Sequence, residues 1–192
     1  MGDYYVRGHE VIPRITQDKQ MNCWLYAGTM LKSWQIGRKL SVSNVFNYFT
    51  AKSKVLNKAY YQRAVGDELG LGLVTPQLDT NGKLVNQFYT DLEVSGFFSG
   101  MNFRPLTGVS KPEDWVPALK KYGPLIVFRL NPAHVRLLIG AYEVPDKTDP
   151  QMILVDPAFG AERRILMEHY KEEVGSFAKI AGWEHTIWYA PR

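Results

Sequence analysis

From Cys23 to Arg38 the apolar residues Trp24, Ala27, Leu31 and Trp34 recur at spacings of three and four, with Met30 beside them. That period predicts an amphipathic helix with one buried face. Asn22 is a natural N-cap, since its side chain can accept a hydrogen bond from a free amide of the first turn, and this puts Cys23 at the first helical position. A second helix is expected from near Ser43, carrying Val45, Phe46 and Phe49, and a third over 58–66. The stretch GDELGLGLVTP at 66–76 is turn-rich, and 75–93 reads as a helical or mixed segment with a turn at Asn81-Gly82. Lys111-Pro112-Glu113-Asp114 opens a short helix with Trp115, Leu119 and Tyr122 facing inward, and Gly123-Pro124 stops it.

The pattern then changes period. LIVFRL at 125–130, HVRLLIGAYEV at 134–144, MILVD at 152–156 and HTIWYA at 185–190 read as strands joined by turn-rich connections. No repeat or low-complexity linker separates the two halves. The expected fold class is therefore α+β, as one domain over 1–192: a helical part over about 17–122 leaning on an antiparallel sheet over about 123–192.

Composition supports an unaided core. The chain has 192 residues, with 45% hydrophobic, 13% aromatic and 22% charged, which is ordinary globular composition and far from disorder. The net charge is +4, but the basic residues are scattered among carboxylates. A nucleic-acid partner would call for a clustered basic stripe, so none is expected. The opening MGDYYVRGHEVIPR lacks an uninterrupted apolar region, and no apolar run reaches the ~18 residues of a membrane span. Neither a Sec signal nor a span is expected, and the fold reads as cytoplasmic in type; export by a specialised machine leaves no such trace. Val6 stands where a myristoylation signal prefers Ser or Thr. The glycines at 66–76 follow no strand in nucleotide-loop order.

Cys23 is the single cysteine, so it forms no internal disulfide, and no Cys/His cluster with zinc spacing exists. A lone helical cysteine is ordinarily a small core hydrophobe. A helix N-terminus, however, helps ionise a thiol, and a nearby imidazolium would help far more. Of the four histidines, His9 precedes the helix, His169 follows Glu168 in a charged stretch that reads as helical, and His185 precedes the last strand. His134 is different, because it begins an apolar strand just after the Asn131-Pro132 turn. The next strand ends in Asp156, where Pro157 terminates the ladder. An antiparallel hairpin would bring the two together, and the carboxylate would fix the imidazole tautomer and stabilise its charged form. Upstream, Gln17 could offer its amide to an oxyanion beside the backbone N–H of Cys23, with Gln20 as the rival donor. His134 and Asp156 also have bland readings, as a satisfied structural histidine and a turn. The order Gln, Cys, His, Asp is what argues for a site.

Gln17, then Cys23-Trp24, then the small Ala27 resembles the active-site helix of papain-like cysteine peptidases. GPLIVFRL, HVRLLIGAY and ILVDP are similar to the later half of the bacterial branch, which includes effector proteases and bacteriocin-leader peptidases. The likeness covers 17–34 and 123–160 and hardly touches 35–122. It implies a papain-like fold with the nucleophile helix packed on the sheet. It also implies Cys23 as nucleophile, His134 as general base and acid, Asp156 as its orienter and Gln17 as oxyanion donor. No metal or cofactor is required. The implied partner is a protein or peptide substrate, with an inhibitor or immunity protein as a further one, and the family company suggests a secreted bacterial effector or toxin domain. The same machinery serves glutamine deamidases and transglutaminases, and a catalytically silent binding module is a third reading. Trp24 beside the nucleophile is expected to contact substrate. Arg136 departs from the aliphatic residue usual in relatives; it either binds an acidic substrate group or reaches solvent at the rim. Only 16 residues precede Gln17, short of the inhibitory prosegment of eukaryotic relatives.

Overall fold

A computed structural model describes residues 3–17, 23–45, 98–106, 114–130, 133–142, 151–166, 169 and 187–192. The expected Asn22 cap, Gln20, Phe46, Phe49, the helix over 58–66, the stretch 66–93 and His185 lie outside the described residues. The strands, in chain order, are β1 (Asp3–Tyr5), β2 (Arg104–Pro105), β3 (Leu125–Leu130), β4 (Ala133–Tyr142), β5 (Gln151–Asp156), β6 (Ala161–Leu166) and β7 (Ile187–Tyr189). Helix α1 covers Cys23–Ile36 and helix α2 Trp115–Tyr122. The chain is thus a mixed helix and antiparallel-sheet fold, as its periodicities predict.

The sheet runs in the order β2-β7-β3-β4-β5-β6, every pairing antiparallel. Strand β4 is its centre. One edge of β4 pairs with β3 along Ala133–Leu138 and then with β1 along Gly140–Tyr142. The other edge pairs with β5, with a register shift between Leu138 and Gly140, while on the β1 edge the Val6 N–H donates to the Ile139 carbonyl at 2.9 Å. Val135 to Ile139 and Met152 to Val155 are buried on both faces, which is why these strands read as continuous apolar runs.

Helix α1 packs against β4 and β3. Its periodicity predicts one buried face, and the structure corrects this: residues 23–31, Ser33 and Trp34 are all buried. A helix enclosed on every side must satisfy its polar residues internally. Thr29 Oγ1 donates to the Leu25 carbonyl at 2.9 Å and Ser33 Oγ to the Thr29 carbonyl at 2.7 Å, each using the carbonyl one turn back. Helix α2 is amphipathic as expected, burying Trp115, Ala118 and Leu119. It ends at Gly123, whose φ of 81° favours glycine and whose N–H donates to the Leu119 carbonyl at 2.9 Å. A Cβ there would lie 2.2 Å from the Trp34 ring.

The amino-terminal segment is strapped across the outer strand. Arg14 pairs with Glu162 of β6, Tyr5 donates its hydroxyl to the same carboxylate at 3.1 Å, and Arg164 donates to Asp3 at 2.6 Å. These contacts carry the chain toward residue 17 along the β5–β6 end of the sheet, beside Asp156.

Candidate active site

Cys23 is the first residue of α1 and is a free, buried thiol. The docking of α1 on β4 aims the helix's amino end at the start of that strand, where His134 is the second residue. The Cys23 side chain lies close enough to the His134 imidazole to raise its pKa. His134 Nε2 lies 2.6 Å from Asp156 Oδ1, which leaves Nδ1 as the nitrogen available to the sulfur. The imidazole is 13% exposed and the carboxylate 7%. In a site that dry, an ion pair is screened far less than at the surface.

Register explains the pairing. Leu137 faces Val155 and Leu138 faces Leu154 across the β4–β5 ladder. Continued toward its end, that ladder sets Asp156 opposite Arg136 and diagonal to His134, within the reach of long or planar side chains on a shared face. Asp156 is then held by a tight turn at 157–160. Its Oδ1 accepts the Ala158 N–H at 2.9 Å, and its backbone carbonyl accepts the N–H of Phe159 at 3.1 Å and of Gly160 at 2.9 Å.

The electrostatics follow from these contacts. Burial works against the charged imidazole, but the hydrogen bond to Asp156 and the interaction with Cys23 outweigh it, raising the His134 pKa to about 9. Burial likewise works against the Asp156 carboxylate. The hydrogen bond and charge of His134, the Ala158 amide and the charge of Arg136 prevail, holding its pKa below the ordinary value. His134 is thus an imidazolium throughout the neutral range, with the Asp156 carboxylate ionised beside it.

Gln17 is brought to the same corner by its backbone, whose N–H donates to the Pro157 carbonyl at 2.8 Å. Gly160 makes that approach possible. Its φ is 59°, and a Cβ on it would lie 2.2 Å from Thr16 Oγ1 and 2.8 Å from Thr16 N. Two other expected residues sit deeper than a cleft surface. Trp24 is 3% exposed and belongs to the main core. Arg136 is 4% exposed, so it does not reach solvent at a rim; its charge bears on Asp156. His9 stacks on Tyr5 with ring centroids 4.4 Å apart, and His169 is exposed. Sequence reasoning missed the Ala158 amide and the Gly160 approach, although the run DPAFG carries the Pro and Gly of a tight turn and could have revealed both. Among the described residues no group of three or more His, Cys, Asp or Glu is arranged to hold a metal.

A family model described as papain-like cysteine protease AvrRpt2 matches residues 8–175 of the chain. No curated protein and no solved structure matches it.

Proposed function

Because the chain belongs to this family of papain-like cysteine proteases and is a cysteine peptidase, we propose that it cleaves peptide bonds through Cys23, His134 and Asp156, with Gln17 as oxyanion donor. The observation that carries this reading is the contact of the Cys23 thiol at the tip of α1 with an imidazole whose other side is bound by Asp156 at 2.6 Å.

The chemistry proceeds in two halves. The Cys23 thiolate attacks the scissile carbonyl carbon, and the oxygen, now negative, is met by the Gln17 side-chain amide and the Cys23 backbone N–H. The tetrahedral species collapses as the His134 imidazolium gives its proton to the departing amine, leaving an acyl thioester and neutral imidazole. That imidazole then takes a proton from water, the hydroxide attacks the thioester, and the thiolate leaves as the second product separates. Asp156 stays ionised throughout. It fixes the ring's orientation and favours its charged form. The biological setting we propose is a bacterial effector delivered by a specialised secretion system, acting on a protein of the recipient cell.

The test is mass spectrometry of a recipient-cell lysate incubated with the full chain, with Cys23→Ala as the control. New peptide amino termini that are absent with the variant are the expected result. A gain of about one dalton at glutamine, with no new termini, would replace proteolysis by deamidation, since the acyl enzyme would then have formed on a side-chain amide. If neither change appears and Cys23 reacts with a thiol-directed epoxide no faster than free cysteine, the chain is a silent binding module.

A further inference from the structure

Trp34 lies eleven residues beyond Cys23 on α1, which at ~1.5 Å per residue puts it about 16 Å from the thiol along the helix. There α1, α2, the start of the chain and β7 enclose a concavity of 390 Å³. That volume falls within the range of about 300–1,000 Å³ usual for small-molecule sites. Four cationic residues line it, Arg7, Lys120, Lys121 and Arg192, among the aromatic residues Tyr4, Trp34, Tyr122 and Tyr189.

Among the described residues no Asp or Glu side chain lines the concavity, and none of the four cationic side chains pairs with one. Aromatic faces take the place of counterions. The Arg192 guanidinium lies 3.9 Å from the centroid of the Trp34 ring, Lys120 Nζ 5.4 Å from that of Tyr4 and Lys121 Nζ 4.9 Å from that of Tyr122. A helix carboxyl end favours lysines, which accounts for Lys120 and Lys121. It does not account for Arg7 and Arg192, which arrive from elsewhere in the chain. Trp34 ties both segments together: its Nε1–H donates to the Arg7 backbone carbonyl at 2.8 Å, and its own carbonyl accepts from the Arg192 guanidinium.

Like charges gathered around a concave, partly apolar wall concentrate a positive potential inside it. Their mutual repulsion is relieved by an anion, and by a multivalent one most of all. We infer that this concavity binds a compact multivalent anion of the oligophosphate class. The inference rests on the cavity and its charges and is independent of the peptidase reading.

Isothermal titration of the full chain with pyrophosphate and with tripolyphosphate, at constant ionic strength, tests it. Saturable one-site binding with Kd below about 1 mM is expected, tighter for the more highly charged probe. The double variant Lys120→Glu/Lys121→Glu is expected to weaken it by at least about tenfold, the scale of reversing charges close to an anion. Both lysines are exposed, so folding is not at stake. Arg163→Glu on β6, a cation outside the lining of the concavity, is expected to leave affinity within about twofold. Absence of saturation, or equal weakening by both charge reversals, would overturn the site. Neither readout requires catalysis.

Discussion

Asp156 carries more of the candidate site than its position at a strand end suggests. It accepts both the His134 Nε2–H and the Ala158 N–H on one oxygen, and with Cys23 it keeps the imidazole charged to about pH 9. Asp156→Asn keeps the shape and removes the charge. We expect kcat to fall by about three to four orders of magnitude, as when a triad carboxylate is neutralised. The alkaline limb of any remaining activity is expected to move below pH 9, and a kcat/KM profile against pH measures both. Arg136 acts one step further out. Its charge helps hold the Asp156 carboxyl below the ordinary range, so Arg136→Met is expected to raise the acid limb of the same profile. An unmoved acid limb would show that Arg136 serves packing alone. Gln17→Ala is expected to cost about 10²–10³ in kcat if its amide holds the oxyanion, with KM little altered.

Among the elements, the turn at 157–160 is the piece on which the others converge. It ends β5, supplies the Ala158 amide to Asp156 and accepts the segment carrying Thr16 and Gln17 against Gly160. Gly160→Ala puts a methyl group against backbone at a positive φ. It is expected to destabilise the fold by about 1–3 kcal/mol and to lower kcat toward the level of Gln17→Ala by displacing that segment. Thermal unfolding and single-turnover kinetics read the two effects separately. Much of this scale was legible beforehand. The helix expected over 23–38 is Cys23–Ile36, and the strands expected at 125–130, 134–144 and 152–156 are Leu125–Leu130, Ala133–Tyr142 and Gln151–Asp156. Strand β6 was not, because Ala161, Glu162, Arg163 and Arg164 are all exposed and an edge strand with no buried face leaves no apolar alternation to read. Strands β1 and β2, of three residues and two, are too short to show a period.

For the molecule as a whole, the His134–Asp156 pair ties stability to pH. The folded His134 pKa is about 9 against an ordinary 6.5, so between these values the folded state binds more protons than the unfolded. Stability is therefore full below 6.5 and lost as pH rises through about 9, by at most about 3 kcal/mol. Asp156 works in the opposite sense, contributing above the ordinary carboxylate range and losing its contribution as pH falls through its lowered pKa. Melting temperature is expected to decline on both sides of this window, and His134→Ala to flatten the alkaline decline; an unchanged slope would mean that other groups dominate. The sequence by itself determined the helix that begins at Cys23, the apolar central strands and the candidate residues, because period, capping and turn chemistry are local properties of the chain. Only the tertiary structure decided that α1 is enclosed on all sides, that Arg136 is buried near Asp156, and that a sulfur at residue 23 meets an imidazole at residue 134. Those facts depend on how α1 docks on β4 and on the register of β4 against β5, and such long-range packing leaves no period in either segment alone.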